Sequence, residues 1–205
     1  MFTGIVTAIG TIVSCEQRGD LHVRIACPFD PARIAVGASI ACSGVCLTVV
    51  ERGGTAGEAW FAVDVSAESL SRTAKGMWAV GRKINLEPSL RLGDELGGHI
   101  VSGHVDAVGE VARLSPEGDS RRVTIVAPQS LAPFVAPKGS IAVDGVSLTV
   151  NEVSDRPDGT VEFGLNLIPH TAAVTTLGEL AQGDEVNLEI DTVARYLQRL
   201  ESLRA

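Results

Sequence analysis

Two short blocks of the chain read almost alike, GVCLTV at 44–49 and GVSLTV at 145–150, and they differ chiefly where one carries Cys46 and the other Ser147. A pair of related but unequal sites would diverge at such a place. A buried thiol of the ordinary inert kind answers the same position, so the spacing leaves both readings open. His99 and His104 flank a glycine-rich apolar stretch, GGHIVSGHV at 97–105, whose counterpart near the start of the chain has no histidine. Acid or base work, or a hydrogen bond to a substrate, suits such residues, and so does the role of a satisfied polar side chain. A metal does not suit them: the two imidazoles are expected on opposite faces of a strand, with no cysteine or carboxylate cluster beside them. Gly4 and Gly103, Thr48 and Thr149, and the stretches 64–69 and 166–171 also recur at matching positions. Glycine there either serves a turn or lets a ligand approach the backbone, whose N–H and C=O groups match the donors and acceptors of a flat heterocycle. No GxGxxG or GxxxxGK[ST] loop is present, which removes dinucleotide and ATP readings.

The elements that must position these residues follow from a repeat. GIVTAIGTI at 4–12 aligns with GHVDAVGEV at 103–111, SIACSGVCLTV at 39–49 with SIAVDGVSLTV at 140–150, and INLE at 84–87 with VNLE at 186–189. The interval lengthens slightly along the chain, the mark of a duplication with small loop insertions. Apolar residues alternate in HVRIAC at 22–27, RVTIVA at 122–127 and TVEFGLNL at 160–167, the period of half-buried strands. ERGGTAGE at 51–58 and RPDG at 156–159 read as the loops between them. Six or so short strands per copy predict a closed barrel, since closure removes exposed sheet edges. The fold class expected is therefore all-β: two tandem barrels of Greek-key type, spanning 1–92 and 98–190, with the linker near Glu87 to Gly97. The tail 191–205 has no counterpart. Val193, Leu197, Leu200 and Leu203 share one helical stripe there, with Asp191 or Thr192 as N-cap, and so short a helix needs a partner, most simply another copy of the chain.

Composition narrows the partners. A net charge of −8 and only 4% aromatic residues give a nucleic acid neither counterion release nor stacking platforms. No apolar run is long enough to cross a bilayer, and the first residues lack the basic region of a leader. Four cysteines with no CxxC pair fit a reducing cytoplasm.

Taken together, MFTGIV, GASIACSGVCLTV, GGHIVSGHVD, DGVSLTV and NLIPHTAAVTTLG resemble, in order and over essentially the whole chain, the duplicated-barrel riboflavin synthase family. The resemblance implies a dismutation in which two molecules of 6,7-dimethyl-8-ribityllumazine exchange a four-carbon unit, giving riboflavin and 5-amino-6-(ribitylamino)uracil, with neither metal nor cofactor. It implies a homotrimer held by C-terminal helices, with each site formed between barrels of different subunits, and makes lumazine synthase a candidate partner. Carried over by position, the N-terminal pocket would comprise Gly4, Ile5, Val6, Cys46, Leu47 and Thr48 with Asp64, Val65, Ser66, Ala67, Glu68 and Ser69. The C-terminal pocket would comprise Gly103, His104, Val105, Lys138, Ser147, Leu148 and Thr149 with Asn166, Leu167, Ile168, Pro169, His170 and Thr171. The family's catalytic positions match Phe2, Ser39, Cys46, His99, His104, Ser147 and Asp191. SAES at 66–69 departs from the MPET frequent in relatives. The implied chemistry starts at the acidic methyl on carbon 7 of the lumazine. His104, or a water held by Ser147 or Thr149, would take that proton, Cys46 or Ser39 would activate a nucleophile for the second molecule, and Asp191 would orient them. Two rivals stay open: a lumazine or flavin carrier of the same fold, and a structural barrel pair that binds nothing.

Overall fold

A computed structural model describes residues 1–204; Ala205, the last residue of the expected helical tail, lies outside them. Strands β1 (Ala8–Arg18), β2 (Asp20–Cys27), β3 (Ser39–Cys42), β4 (Val45–Thr55), β5 (Glu58–Val65) and β6 (Lys83–Pro88) close into one antiparallel barrel in the order β1-β2-β5-β4-β3-β6. Strands β7 (Ala107–Glu117), β8 (Ser120–Ala127), β9 (Ser140–Val143), β10 (Val146–Asp155), β11 (Val161–Leu167) and β12 (Glu185–Ile190) repeat that order in a second. The duplication extends to irregularities. Pairing slips between Ile12 and Ser14 in β1 and between Val111 and Arg113 in β7, and again after Val49 in β4 and Val150 in β10. Such bulges sharpen strand bending, which a narrow closed barrel requires. Inward positions fill each barrel with β-branched residues around one phenylalanine, Phe61 in the first and Phe163 in the second, both fully buried.

Two expectations need correction. Residues 51–55 are not loop but the end of β4; the turn occupies only the residues between β4 and β5. The glycines there serve close approach: a Cβ on Gly53 would stand 2.6 Å from the Trp60 ring of the neighbouring strand. His99 and His104 do not sit on opposite faces of a strand either. Apart from the single bridge of Val101 with Phe2, the segment from His99 to Asp106 is irregular backbone held by other parts of the chain.

Among the described residues, three α-helices accompany the barrels. Short α1 (Ala67–Arg72) and α2 (Pro169–Val174) follow β5 and β11 at equivalent places. Helix α3 (Thr192–Ser202) starts where the Asp191 carboxylate accepts from Val193 N at 2.8 Å. Asp106 anchors its first turn, accepting two bonds from the Arg195 guanidinium at 2.7 and 2.8 Å. Val193, Leu197, Leu200 and Leu203 remain exposed. Among the described residues, no helix is long and apolar enough to cross a membrane.

The barrels meet through a seam with approximate two-fold symmetry. The Asn85 side-chain amide donates to Asp144 O at 2.9 Å while that of Asn187 donates to Ser43 O at 2.9 Å. Their side-chain carbonyls accept from Thr176 N and Ala74 N respectively, both at 2.8 Å. Gly44 and Gly145 touch across the axis, where any side chain would strike the other's backbone. A buried amide with every group satisfied fixes orientation as well as contact.

Candidate functional site

The segment preceding β1 and the segment preceding β7 cross the seam. A buried carboxylate at the end of each barrel's last strand holds them. Glu87 accepts from Thr3 N, Thr3 Oγ1 and Gly4 N at 2.7 to 2.9 Å. Glu189 accepts from Ser102 N, Ser102 Oγ, Gly103 N and His104 N at 2.6 to 3.0 Å. Burial pushes the Glu87 carboxyl above the usual carboxylate range, and the bonds from Thr3 and Gly4 pull the other way. The segments so held dock on the opposite half: Gly4 O accepts from Ser147 N at 2.8 Å, and Gly103 O from Cys46 N at 2.7 Å. Gly4 (φ +76°) and Gly103 (φ +79°) are in the left-handed region, and a Cβ on either would come within 2.6 Å of the Ser147 or Cys46 side chain.

This crossing corrects the expected grouping of the pockets. Gly103, His104 and Val105 line a cavity of about 400 Å³ together with Cys46, Glu68, Ser69 and Arg72 of the first half, and Val105 packs on the first barrel's core. Gly4 lies against Ser147, and Val6 packs on the second barrel's core. The segment Gly4–Val6 therefore joins the C-terminal group and Gly103–Val105 the N-terminal one. The physical reason is that the Glu87 and Glu189 clamps aim each segment outward over the seam.

Behind Ser147 stands His99, its Nδ1 2.7 Å from Ser147 Oγ. Burial lowers the pKa of this imidazole, against the pull of the Asp191 carboxylate, and its Nε2 is buried without a partner. A neutral imidazole so placed can accept the serine proton. Gly98 makes the approach possible, since a Cβ there would meet Thr3 O at 2.1 Å. Cys46 and Phe2 share an apolar cluster with Ala41, Val101 and Ala142 in the seam. Phe2 is fully buried and exchanges backbone hydrogen bonds with Val101, so it shapes the ground under Gly103 and Cys46.

The other expected residues distribute as follows. Leu47, Val65 and Leu167 point into barrel cores and Leu148 packs at the edge of one, whereas Thr48 and Thr149 are exposed on the opposite faces of their strands. Ser66 caps α1 by accepting from Ser69 N, with Ala67 exposed in its first turn. Ile168, Pro169 and His170 are exposed at the head of α2, with Thr171 half-buried and Ile5 exposed. Asn166 Oδ1 is buried without a partner. Ser39 pairs with Thr48 but lines a different cavity, of about 730 Å³, with Phe29, Arg33, Ser89 and Arg91. Lys138 is exposed at φ +67°. Sequence reasoning missed Glu87 and Glu189, although INLE and VNLE, quoted only for the repeat, place a glutamate at the same point of both copies.

With this geometry in view, relatives can be compared. The lumazine-binding domain model matches twice, at 3–89 and 102–191. The riboflavin synthase of Brucella abortus (strain 2308) is 52% identical over 98% of both chains, and that of Mycobacterium tuberculosis (strain H37Rv) 45% identical over 98% of both. Among solved structures, LumP complexed with 6,7-dimethyl-8-(1'-D-ribityl) lumazine superposes with a TM-score of 0.75 at 26% identity, covering 93% of this chain and 99% of that one. LumP with riboflavin gives 0.75 at 28% identity over the same shares. The chain belongs to the riboflavin synthase family of duplicated lumazine-binding domains.

Proposed function

We propose that the chain converts two molecules of 6,7-dimethyl-8-ribityllumazine into riboflavin and 5-amino-6-(ribitylamino)uracil, the last step of riboflavin formation. The observation that carries the reading is that both halves keep the same composite junction, Cys46 against the Gly103–Val105 segment, where a cavity opens, and Ser147 against the Gly4–Val6 segment. A reaction between two like molecules needs two like sites; a carrier needs one. The exchange consumes no oxidant: of the four carbons lost by one lumazine, two close a new ring with the two methyl carbons of the other and two remain as its methyl groups, and hydrogens balance between the two products. Holding two rings in mutual contact makes the encounter effectively intramolecular, a gain on the order of 7 kcal/mol for good alignment.

His99, neutral through burial, accepts the Ser147 proton at Nδ1, which activates the hydroxyl or a water beside it toward a bound lumazine. His104, exposed in the cavity that also holds Cys46, is the group in reach of the carbon-7 methyl of a ring bound there. The stripe Val193, Leu197, Leu200 and Leu203 on α3 packs against other copies in a homotrimer, which brings the clefts of neighbouring chains into opposition. Lumazine synthase is a candidate partner for supplying the substrate. Four free cysteines suit a reducing cytoplasm.

Incubating the purified protein with the lumazine tests the reading. One riboflavin formed per two lumazines consumed supports it; tight binding without conversion supports the carrier; an unchanged spectrum would leave only the structural scaffold. Sedimentation at micromolar concentration, with Leu197→Glu as the disrupting variant, tests the trimer.

A further inference from the structure

We propose that His22 is a positioning residue for the first cleft, holding the Asp64 carboxylate for the bound lumazine; the inference rests on the function proposed above. On β2, Val23 and Ile25 face the barrel core, and so do Val63 and Val65 on β5. Alternation puts His22 and Asp64 on the outer face, where they are direct register partners. An outward residue of a surface strand is ordinarily exposed, yet His22 is only 6% exposed. Its Nδ1 lies 2.7 Å from Asp64 Oδ1, so the ring donates and the carboxylate accepts.

The two partners are unequal. The imidazole is sealed, with 7% of its side chain exposed against 47% for Asp64. A buried, rigid donor thus grips one oxygen of an open carboxylate. The other oxygen is left for a ligand. Asp64 opens the stretch that runs through the Ser66 cap into Glu68 and Ser69, which line the cavity with Cys46 and His104. The groups around His22 do not offer it a better partner. Glu16, its neighbour on β1, is engaged by Arg18 at 2.7 Å, and Arg24 on the same strand face lies over the Trp60 ring.

The second half lacks the device. Asn166 stands where Asp64 stands, opposite Arg122, whose guanidinium is taken by Glu117 at 2.8 Å and Glu152 at 3.2 Å. The side-chain oxygen of Asn166 is left buried and unpartnered. An oriented carboxylate therefore belongs to one cleft alone, and it accepts a ribityl hydroxyl or ring N–H of the molecule bound there.

The experiment compares wild type with H22N, H22Q, H22F and D64N in steady-state conversion of the lumazine, with thermal unfolding alongside. Asparagine carries an amide N–H where Nδ1 sat; glutamine carries it where Nε2 sat. H22F and H22Q are expected to raise KM about tenfold with kcat within about twofold, and H22N to restore KM to within about threefold of wild type. D64N should match H22F, and the double variant should be no worse than either alone. Wild-type KM in both H22Q and D64N overturns the proposal, as does a lowered melting temperature with unchanged KM, since that marks a purely structural contact. Should H22F fail to fold, the contrast between H22N and H22Q decides. A wild-type protein that makes no riboflavin overturns the underlying function instead, a result readable before any variant is made.

Discussion

Cys46 and Ser147 occupy equivalent points of the two barrels, and each donates its backbone N–H to a glycine carbonyl arriving from the other half. What surrounds them differs. Ser147 has His99 bonded to its hydroxyl, and the histidine in turn feels Asp191 at the head of α3. Cys46 shares an apolar cluster with Phe2, and the histidine nearest its cavity, His104, is exposed rather than buried. The seam shows a second inequality: Ser43 Oγ accepts from Asn85 N, and the matching bond from Asn187 N goes to the carboxylate of Asp144. A third lies at the turn before β3 and β9, where Gly37 (φ +87°) is matched by Lys138 (φ +67°). Duplication supplied two equal frames, and the chain has placed its reactive or strained groups unequally on them. Such division suits a reaction whose two identical molecules must play different parts.

The largest effect should come from what the halves share. Gly103→Ala puts a Cβ 2.6 Å from Cys46 Cβ and 2.9 Å from Cys46 N, on a backbone that L side chains resist. Left-handed strain of about 1–2 kcal/mol adds to displacement of a backbone segment, for a loss of about 4 kcal/mol. Gly19→Ala, at φ +96° with nothing within 4 Å, should lose only the strain. Urea midpoints of the two variants measure the difference, and equal midpoints would mean that the crossing segment is not tightly docked.

That crossing is where legibility ended. The duplication, the strands and a helix cap at Asp191 or Thr192 were readable because alternation, repeated motifs and N-capping are local patterns. The pairing of Gly103 with Cys46 and of Gly4 with Ser147 was not, because nothing local in GIV or GHV says which barrel such a segment lies on. The Glu87 and Glu189 clamps decide that, and they act across 83 or more residues. His99 and Ser147 are 48 residues apart and could be listed as candidates but not joined. Gly53 misled in the opposite sense: glycine under a Trp60 ring looks, in sequence, like glycine in a turn.

The catalytic inequality is the next thing to break. If His99 activates Ser147, Ser147→Ala should lower kcat about a hundredfold or more, within the range for a lost acid or base, while Cys46→Ser costs about tenfold. Steady-state rates at saturating lumazine decide it, and the reverse order would move the activated nucleophile to the first half.

The seam makes a pH prediction of similar size. Burial pushes the Asp144 carboxyl from 3.8 up to about 7, against the Asn187 N–H and the attraction of Arg82, with Asp184 adding to the rise. Because the folded value exceeds the unfolded one, this group's stabilisation is full below about pH 4 and disappears as pH rises to about 7. Asp144→Asn keeps the acceptor for Asn187 N and removes the ionisation. It should therefore be more stable than wild type at pH 8 by roughly 3 kcal/mol, with the gap closing toward pH 4. Ser43→Ala on the matching side should cost about 1 kcal/mol at every pH. A gap between wild type and Asp144→Asn that ignores pH would show that Asp144 is not the group titrating.

Lys138 sharpens the comparison at the smallest scale. Its N–H donates to Val150 O at 2.7 Å in the same turn in which Gly37 N–H donates to Val49 O at 2.8 Å, so the two halves make one backbone shape with different residues. Glycine adopts that shape freely; lysine pays about 1 kcal/mol for it. Lys138 is exposed, so packing does not repay the strain, and a strained residue kept without structural return points to use of its side chain. Lys138→Gly should raise stability, by up to about 0.5 kcal/mol after glycine's extra chain entropy is counted. If the Lys138 ammonium binds lumazine, as we propose, the same change should also raise the KM for lumazine several-fold. Greater stability with weaker substrate binding is the signature of a functional residue, whereas Gly37→Lys in the first half should lose stability and gain nothing. A Lys138→Gly variant with unchanged KM would leave the left-handed lysine an unrewarded remnant and remove one of the three differences between the halves.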